Sequence, residues 1–201
     1  MTAKIKLNAA SGGGSFSLQA PSSSANNRVM TLPDSADGTV LTTTNPKAGN
    51  ILQVQSVTIN SPVSAAAAGT TVYADIAGMS ITITPAASAN KILLSCHLSF
   101  SNDTTARNDF IKFVKDGSDI SAALGTQGVS GKNGIAYLRI SSVNEVKCVS
   151  MTHLDTAGGT SAITYKLQWS GEASGTRYLN RRGDSTTHGA VSSFTVMEVA
   201  A

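Results

Sequence analysis

The chain has 201 residues, of which 13% are charged and 5% aromatic, and its net charge is only +3. This length allows one compact domain with an extension, or two small domains. The basic residues are scattered, which argues against a nucleic-acid-binding face. The abundance of Gly, Ser, Thr and Ala disfavours a mixed α/β enzyme and favours an all-β protein with many turns.

Targeting signals and disulfides are not indicated. No apolar run is long enough to span a membrane, and Lys4 and Lys6 interrupt the N-terminal apolar residues, so we predict neither membrane insertion nor a signal peptide. We expect a chain that stays in the cytosol or is assembled there into a larger particle. Cys96 and Cys148 both fall in strand-like runs, where a free cysteine packs as a small hydrophobe; a bridge between them is the alternative.

The first 46 residues are predicted to form an extended docking arm with short strands. Apolar and polar residues alternate in two short runs, which are separated by Gly-, Ser- and Pro-rich turn sequence. Each run offers only two or three apolar side chains, too few to offset an ordering cost of roughly 1–2 kcal/mol per residue. The arm must therefore pack on other protein, either the rest of the chain or, as we favour, another copy. The expected contact residues are Ile5, Leu7, Phe16, Leu18, Val29, Met30 and Leu32.

A turn-rich hinge over residues 45–50 precedes the predicted β-domain, which comprises residues 50–201. About ten strands are predicted there. Their expected ranges are 51–59, 72–76 and 80–84 around Gly78, 90–101, 110–115, 135–140, 143–154, 163–169, 176–180 and 192–199. A single helical turn is expected at 65–68. Asp116-Gly117 predicts a hairpin with residues 119–124 as the partner strand. The strand spacing is typical of sandwiches and barrels, and we predict a jelly-roll-like antiparallel β-sandwich.

No motif for catalysis, a cofactor or a metal stands out. The three histidines, His97, His153 and His188, lack metal-ligand spacing, and a metal shared by three chains is the minor alternative. The carboxylate pairs Asp103/Asp109, Asp116/Asp119 and Glu172/Asp184 could be imagined in a polysaccharide-cleaving enzyme, but most of these residues lie beside turn residues. We therefore expect no enzymatic activity and no cofactor.

One group of residues near the turns has two interpretations. Aromatic rings and arginines recur at recognition surfaces, so the group could bind a sugar or an anion. We favour the alternative, in which the aromatic residues are core and the arginines form a solvated rim. The group comprises Trp169, Arg177, Tyr178, Arg181 and Arg182.

Several segments resemble a known family. The sequence AKIKLNAASGGGSFSLQAP, followed by RVMTLPDSADGTVLTT, resembles the N-terminal arm of fibre-like virion proteins of marine tailed bacteriophages, those of cyanobacteria and of abundant ocean heterotrophs. The segments GNILQVQSV, TYKLQW, TRYLNR and SSFTVMEV are similar to the distal β-domain of those proteins. These stretches lie towards both ends and cover about half of the chain.

The resemblance implies a structural protein exposed on the phage virion. The arm would dock on other virion proteins of the tail or capsid, and the β-domain would project from the particle, commonly as a homotrimer. Because the chain has no repetitive shaft, we expect a short, tail-fibre-like appendage that contacts the host. The alternatives are a capsid decoration or head-fibre protein on the shell, and an adhesin that binds a host surface glycan.

Overall fold

The computed structural model describes residues 4–8, 10–19, 22–23, 25, 46–126, 132–172 and 175–201. The chain divides into two compact units, Met1–Val40 and Leu41–Ala201. The boundary predicted at residues 45–50 stays a prediction.

The first unit contains an antiparallel hairpin of β1 (Lys4–Asn8) and β2 (Ser15–Gln19). Between the strands, Gly12 and Gly13 have φ angles of 83° and 68°, which glycine adopts without steric cost. The register places Ile5 opposite Leu18. The two short strands predicted from sequence alternation are therefore partners of each other.

The described part of the second unit contains eleven strands and one 3₁₀ turn. The strands are β3 (Ile51–Ile59), β4 (Val63–Ala66), β5 (Gly69–Ile83), β6 (Lys91–Asn102), β7 (Arg107–Lys115), β8 (Ser118–Asp119), β9 (Ala136–Ile140), β10 (Lys147–Thr156), β11 (Ile163–Gly171), β12 (Thr176–Leu179) and β13 (Ser192–Val199). The 3₁₀ turn is Ser121–Ala123. Among the described residues, none forms a helix with the length and apolarity needed to cross a membrane.

The strands form two antiparallel sheets in a jelly-roll arrangement. In the first sheet, β3 pairs with β13 and β4 pairs with β12. Both β13 and β12 also pair with β6, and β6 pairs with β10. The second sheet has the order β5–β11–β7, with β9 and β8 along the far edge of β7. Strands that follow one another along the same partner form one row, which gives eight rows in chain order: β3 with β4, β5, β6, β7, β8 with β9, β10, β11, and β12 with β13. The first sheet then has the row order 1-8-3-6, and the second sheet has the row order 2-7-4-5. This pairing of first with last rows is that of a rolled double Greek key, so the predicted jelly-roll-like sandwich is confirmed.

The core lies between the two sheets and is built from the inward positions of their strands. Alternate residues of β6 and β13 are buried, as expected for strands with one face on the core. Aromatic rings join the sheets at two places. Phe113 stacks on Phe194 at a centroid distance of 5.9 Å, and Trp169 meets Phe100 edge-on at 6.4 Å. Such pairs contribute about 0.5–1.5 kcal/mol beyond the burial of their area.

Two local predictions are wrong. Residues 65–68 do not form a helical turn, because Val63–Ala66 pairs with β12 and tertiary pairing overrides the helix propensity of alanine. The strands predicted at 72–76 and 80–84 are one strand, β5, and the register with β11 shifts where they were predicted to separate. Gly78 lies in this bulge with a φ of 80°, so the glycine bends the strand without ending it.

The predicted Asp116-Gly117 hairpin is confirmed. Both residues have positive φ, 49° and 81°, the geometry of a two-residue type I′ turn. The partner strand β8 is shorter than predicted because the chain enters the 3₁₀ turn at Ser121.

The turn supplies a testable prediction for stability. Gly117→Ala is expected to lower the free energy of unfolding by about 1–2 kcal/mol, because a left-handed conformation brings Cβ close to the backbone. Gly159→Ala is the matched control, since its φ is not positive and no atom lies within 4 Å of the added Cβ. Urea denaturation of both variants measures the difference. Equal stability of the two variants would contradict the assigned turn geometry.

Candidate functional site

The hairpin of the first unit exposes the apolar residues that were predicted to dock. Ile5 and Leu18, which face each other across the strands, are 64% and 42% exposed, and Leu7 is 58% exposed. Because side chains alternate along a strand, Ile5 and Leu7 lie on the opposite side of the hairpin from Lys6. The hairpin therefore has one apolar and one polar side. Isolated two-stranded hairpins are marginally stable in water and gain stability by packing an apolar side against other protein.

The remaining predicted arm contacts are not all described. Phe16 lies opposite Leu7 in the backbone register, and Val29, Met30 and Leu32 lie outside the described residues. Docking by all seven residues stays a prediction.

In the second unit, several strand ends and connections gather at one end of the sandwich, here called the loop end. Asn102 at the end of β6 pairs with Arg177 at the start of β12, and Gly171 at the end of β11 pairs with Asp109. The excursion between β12 and β13 reaches the same region, because the N–H of Gly183 donates to the carbonyl oxygen of Val143 over 3.0 Å. The loop end thus collects polar residues from both sheets.

The five residues of the predicted recognition group divide into core and surface. Trp169 and Arg177 lie in the core rather than at the surface, with exposures of 0% and 1%. Trp169 points inward from β11 against Phe100. The Arg177 guanidinium lies 5.3 Å from the centroid of the Trp169 ring, and its Nη2 donates to the carbonyl oxygen of Ala66 over 2.9 Å. Neither side chain is available to a ligand at the surface.

Tyr178, Arg181 and Arg182 remain partly exposed at the loop end. The Arg181 guanidinium lies 4.1 Å from the centroid of the Tyr178 ring, and its Nε donates to the carbonyl oxygen of Arg182 over 2.8 Å. Arg182 Nη2 donates to Asp184 over 2.9 Å and is also bonded to Asn144. The prediction of a recognition surface is therefore confined to these three residues, and the guanidinium groups of both arginines already bond to their own chain.

A buried charged cluster joins the two sheets at the loop end. Asp109 is fully buried and accepts a hydrogen bond from Asn102 Nδ2 over 3.1 Å. Burial raises the pKa of Asp109 to about 6, although the Asn102 bond and the charge of Arg177 act to lower it. Burial likewise lowers the pKa of Arg177. Asp109 Oδ1, Trp169 Nε1 and both Nε and Nη1 of Arg177 have no hydrogen-bond partner within the described part of the chain.

A second buried carboxylate, Glu198 on β13, has its hydrogen bonds satisfied. It accepts from Gln53 Nε2 at 2.6 Å, from Asn90 Nδ2 at 2.5 Å and from the N–H of Ala86 at 2.7 Å. Burial raises the pKa of Glu198, but these hydrogen bonds outweigh it, so the pKa lies below the ordinary value of 4.5. Glu198 holds the connection between β5 and β6 against the first sheet.

Sequence reasoning named Asp109 only as a member of a carboxylate pair and missed the burial of both carboxylates, although a signal was present. Glu198 has the same strand parity as the inward-facing Phe194 and Val196, and Asp109 has that of Ile111 and Phe113. A charged residue in phase with core positions indicates a buried polar contact.

The other predicted candidates take structural positions. Asp103 accepts from the N–H of Thr176 over 2.7 Å, and Asp116 from the N–H of Thr164 over 2.8 Å, so both fix turns. His97 is exposed and lies beside Ser150. Within the described residues, three or more metal-ligating side chains do not cluster anywhere.

The two cysteines are free. Cys96 is buried and lies opposite Met151, whereas Cys148 is exposed and three residues from Met151 on β10. An odd separation places the two thiols on opposite faces of the sheet, which excludes a bridge between them in this fold. Burial raises the pKa of Cys96 to about 12.

A small polar cavity of about 190 Å³ opens beside the second sheet. Tyr73, Lys112 and Asp119 are among the residues that line this cavity. Lys112 Nζ lies 3.9 Å from the centroid of the Tyr73 ring and 2.5 Å from Asp119 Oδ1. The cavity is smaller than the roughly 300–1,000 Å³ of ordinary ligand pockets. Its lysine is also already paired with an acid.

Comparison with known proteins finds a match among solved structures alone; no protein-family model and no curated protein matches the chain. The chain is similar to a chain of T=1 particles derived from infectious bursal virus, with 13% identity, a TM-score of 0.40, and 92% of this chain and 45% of that chain covered. It is also similar to a chain of the T13 particle of infectious bursal disease virus (12% identity, TM-score 0.41, 94% and 42% covered). For the VP2 subviral particle of that virus, the identity is 12% and the TM-score is 0.34, with 93% of this chain and 47% of that chain covered. The chain therefore spans less than half the length of these chains.

Proposed function

We propose that the chain is a non-enzymatic virion structural protein of a marine tailed bacteriophage. It forms a short, tail-fibre-like appendage of the particle. Its N-terminal arm docks on other virion proteins, and its jelly-roll domain projects, associates as a homotrimer and contacts the host. The proposal rests on the resemblance of the sequence segments, and one structural observation carries the docking role.

That observation is the exposed apolar side of the hairpin. The exposed side chains of Ile5, Leu7 and Leu18 form an apolar strip on this side. Burying one such side chain fully contributes about 1.5–3 kcal/mol of favourable free energy, so a surface that covers the strip would be stabilised. Strand addition or insertion into a groove of a neighbouring protein would cover this strip and also supply partners for the edges of the hairpin. A docking segment that folds fully on its target is expected to have these features.

Incorporation into particles tests the docking role. Changing Ile5 and Leu18 together to Asp is expected to reduce incorporation of the full chain roughly tenfold or more, because two apolar contacts are replaced by charges that resist burial. Deletion of residues 2–44 is expected to abolish incorporation and to leave the second unit folded, since its described core residues all lie within residues 57–196. Quantitative gels of purified particles measure the incorporated protein.

The matched control places the same charges on the polar side of the hairpin. Lys6→Asp with Ser17→Asp alters the residue pair adjacent to Ile5 and Leu18 and is expected to leave incorporation unchanged. Normal incorporation of the Ile5/Leu18 variant would refute docking through this strip.

The copy number per particle tests the tail location: one or two dozen copies support a tail appendage, and hundreds would place the protein on the capsid.

A further inference from the structure

The buried cluster at the loop end contains more unpartnered donors than acceptors. Within the described part of the chain, the unpartnered atoms are three N–H donors, Nε and Nη1 of Arg177 and Nε1 of Trp169, and one acceptor, Asp109 Oδ1. All three residues are at most 1% exposed. Buried polar groups in native proteins nearly always have a hydrogen-bond partner, either in the protein or in something bound to it. This cluster is therefore where a small bound species is expected.

The three side chains adjoin one another where the two sheets meet. The guanidinium carbon of Arg177 lies 5.3 Å from the centroid of the Trp169 ring. Gly171 pairs with Asp109, and a Cβ added to Gly171 would overlap Asp109 Oδ1 and lie 3.4 Å from Arg177 Cδ. Because Gly171 has no side chain, Asp109 from the second sheet and Arg177 from the first approach the same point.

The charge balance of the cluster depends on Asp109. This carboxyl group accepts from the neutral Asn102 through Oδ2, and it faces the charges of Arg177 and Glu172. Glu172 is partly exposed and lies 3.9 Å from Arg107, which balances its charge outside the cluster. When Asp109 is protonated, Arg177 is therefore a buried positive charge without a counterion, which is unfavourable.

Protonation of Asp109 also changes the hydrogen-bond balance. Burial raises the pKa of Asp109 to about 6, and the proton belongs on Oδ1 because Oδ2 already accepts from Asn102. All four unpartnered atoms are then donors. A water molecule accepts at most about two hydrogen bonds and brings two protons that need acceptors. A halide ion brings a negative charge, accepts from several donors at once and donates none.

We propose that the loop end holds a buried site for a small monovalent anion of the halide class, between Arg177 and Trp169, which binds together with a proton on Asp109. The ion neutralises the guanidinium and accepts from groups of both sheets. Ionised Asp109 repels the ion, so the site releases it when the proton leaves. The inference is independent of the proposed place of the chain in a phage particle.

The fluorescence of Trp169 tests the site directly, because this residue is the only tryptophan in the sequence. Bromide is the probe, since it quenches indole fluorescence on contact and chloride does not. Trp169 is fully buried, so ions in solution do not reach it by collision. At pH 5, bromide is expected to quench the full chain saturably, and chloride is expected to relieve the quenching by competition, with sodium gluconate keeping the ionic strength constant.

The coupling to Asp109 has its own readout. The dissociation constant of bromide is expected to rise about tenfold for each pH unit above about pH 6, because binding requires the proton. Asp109→Asn offers an N–H donor that does not titrate, so it is expected to bind equally well at pH 5 and pH 8. Asp75→Asn, at an exposed carboxylate, is the matched control and is expected to keep the wild-type pH dependence.

The wild type alone decides both parts of the proposal, so the test does not depend on the folding of a variant. Quenching that increases linearly with bromide and is not relieved by chloride would overturn the anion site. Saturable quenching with equal affinity at pH 5 and pH 8 would overturn the coupling to Asp109. Thermal melting is the second measurement: at pH 5 the wild type is expected to melt at a higher temperature in chloride than in gluconate, because the ion binds the native state. Equal melting temperatures in the two salts would contradict the site.

Discussion

Replacing Glu198 by Gln is expected to lower the free energy of unfolding by about 3 kcal/mol. The carboxylate accepts hydrogen bonds from two side-chain amides and from the backbone of Ala86. Glutamine has the same shape, but its NH₂ group would face donors and leave at least one of them buried without an acceptor. Bonds to a charged acceptor are also stronger than bonds to a neutral one.

The pH dependence of this contribution has a definite sign. The pKa of Glu198 is lower in the folded chain than its ordinary value, so the native state binds this proton less tightly than the unfolded state. The stabilisation is therefore fully present above about pH 4.5 and is lost as the pH falls through the folded pKa. Urea denaturation of the wild type and of Glu198→Gln at pH 7 and at pH 3 measures it.

The matched control is Asp184→Asn, which neutralises an exposed carboxylate paired with Arg182. Surface ion pairs contribute little, so a change within about 0.5 kcal/mol is expected. If Glu198→Gln is as stable as this control at pH 7, the buried network around Glu198 does not stabilise the connection between β5 and β6.

Asp109→Asn is expected to have the opposite pH dependence. Asp109 has a folded pKa of about 6 against an ordinary value of 3.8, chiefly because burial disfavours its charge. The native state therefore holds this proton more tightly, and the associated stability is present below about pH 4 and lost as the pH rises through 6. At 1.36 kcal/mol for each pKa unit, the loss is at most about 3 kcal/mol.

Asparagine mimics the protonated form of Asp109 and does not titrate. The stability of Asp109→Asn relative to the wild type should therefore rise between pH 4 and pH 7, by up to about 3 kcal/mol in favour of the variant. Thermal or urea denaturation at several pH values measures this rise. Asp75→Asn, at an exposed carboxylate, is the control and should show no rise over that range. A stability difference that is the same at pH 4 and pH 7 would show that Asp109 stays ionised in the native state.

The two carboxylates behave differently because their surroundings differ. Within the described residues, Glu198 accepts three hydrogen bonds, whereas Asp109 accepts one and retains an oxygen without a partner. The attraction of Arg177 does not offset the loss of hydration at Asp109, which is a common outcome for buried ion pairs. The loop end is therefore less well satisfied in the native state than the Glu198 network.

Local sequence patterns predicted individual strands well. The bounds of β3 and β13 agree with the predicted ranges 51–59 and 192–199, because apolar alternation and flanking turn residues are both local properties. The alanine run at 65–68 misled the prediction for a physical reason. Its preference for a helix is small, about 1 kcal/mol or less per residue, and pairing with β12 exceeds it.

The candidate site was predicted less well. The position of Ile5 and Leu7 on one apolar side of a strand could be predicted, because it depends only on the two-residue alternation of apolar and polar residues. The burial of Trp169 agrees with the favoured interpretation of the aromatic residues as core. The burial of Arg177 was not predicted, because an arginine near glycine-rich sequence is ordinarily at a solvated rim. The signal in the sequence was strand alternation: Trp169 lies two residues from the buried Leu167, and Arg177 lies two residues from the buried Leu179, so each faces the same side of its strand as that leucine.

By itself, the sequence determined the all-β class and most strand positions, since both follow from local alternation and from turn residues between the strands. The tertiary structure alone decided which strands are neighbours, and so which groups surround the buried carboxylates Asp109 and Glu198 inside the sandwich. Strand partners in a jelly roll are far apart in sequence, up to the pairing of β3 with β13. Such pairing is selected by the packing of the whole core rather than by any single segment.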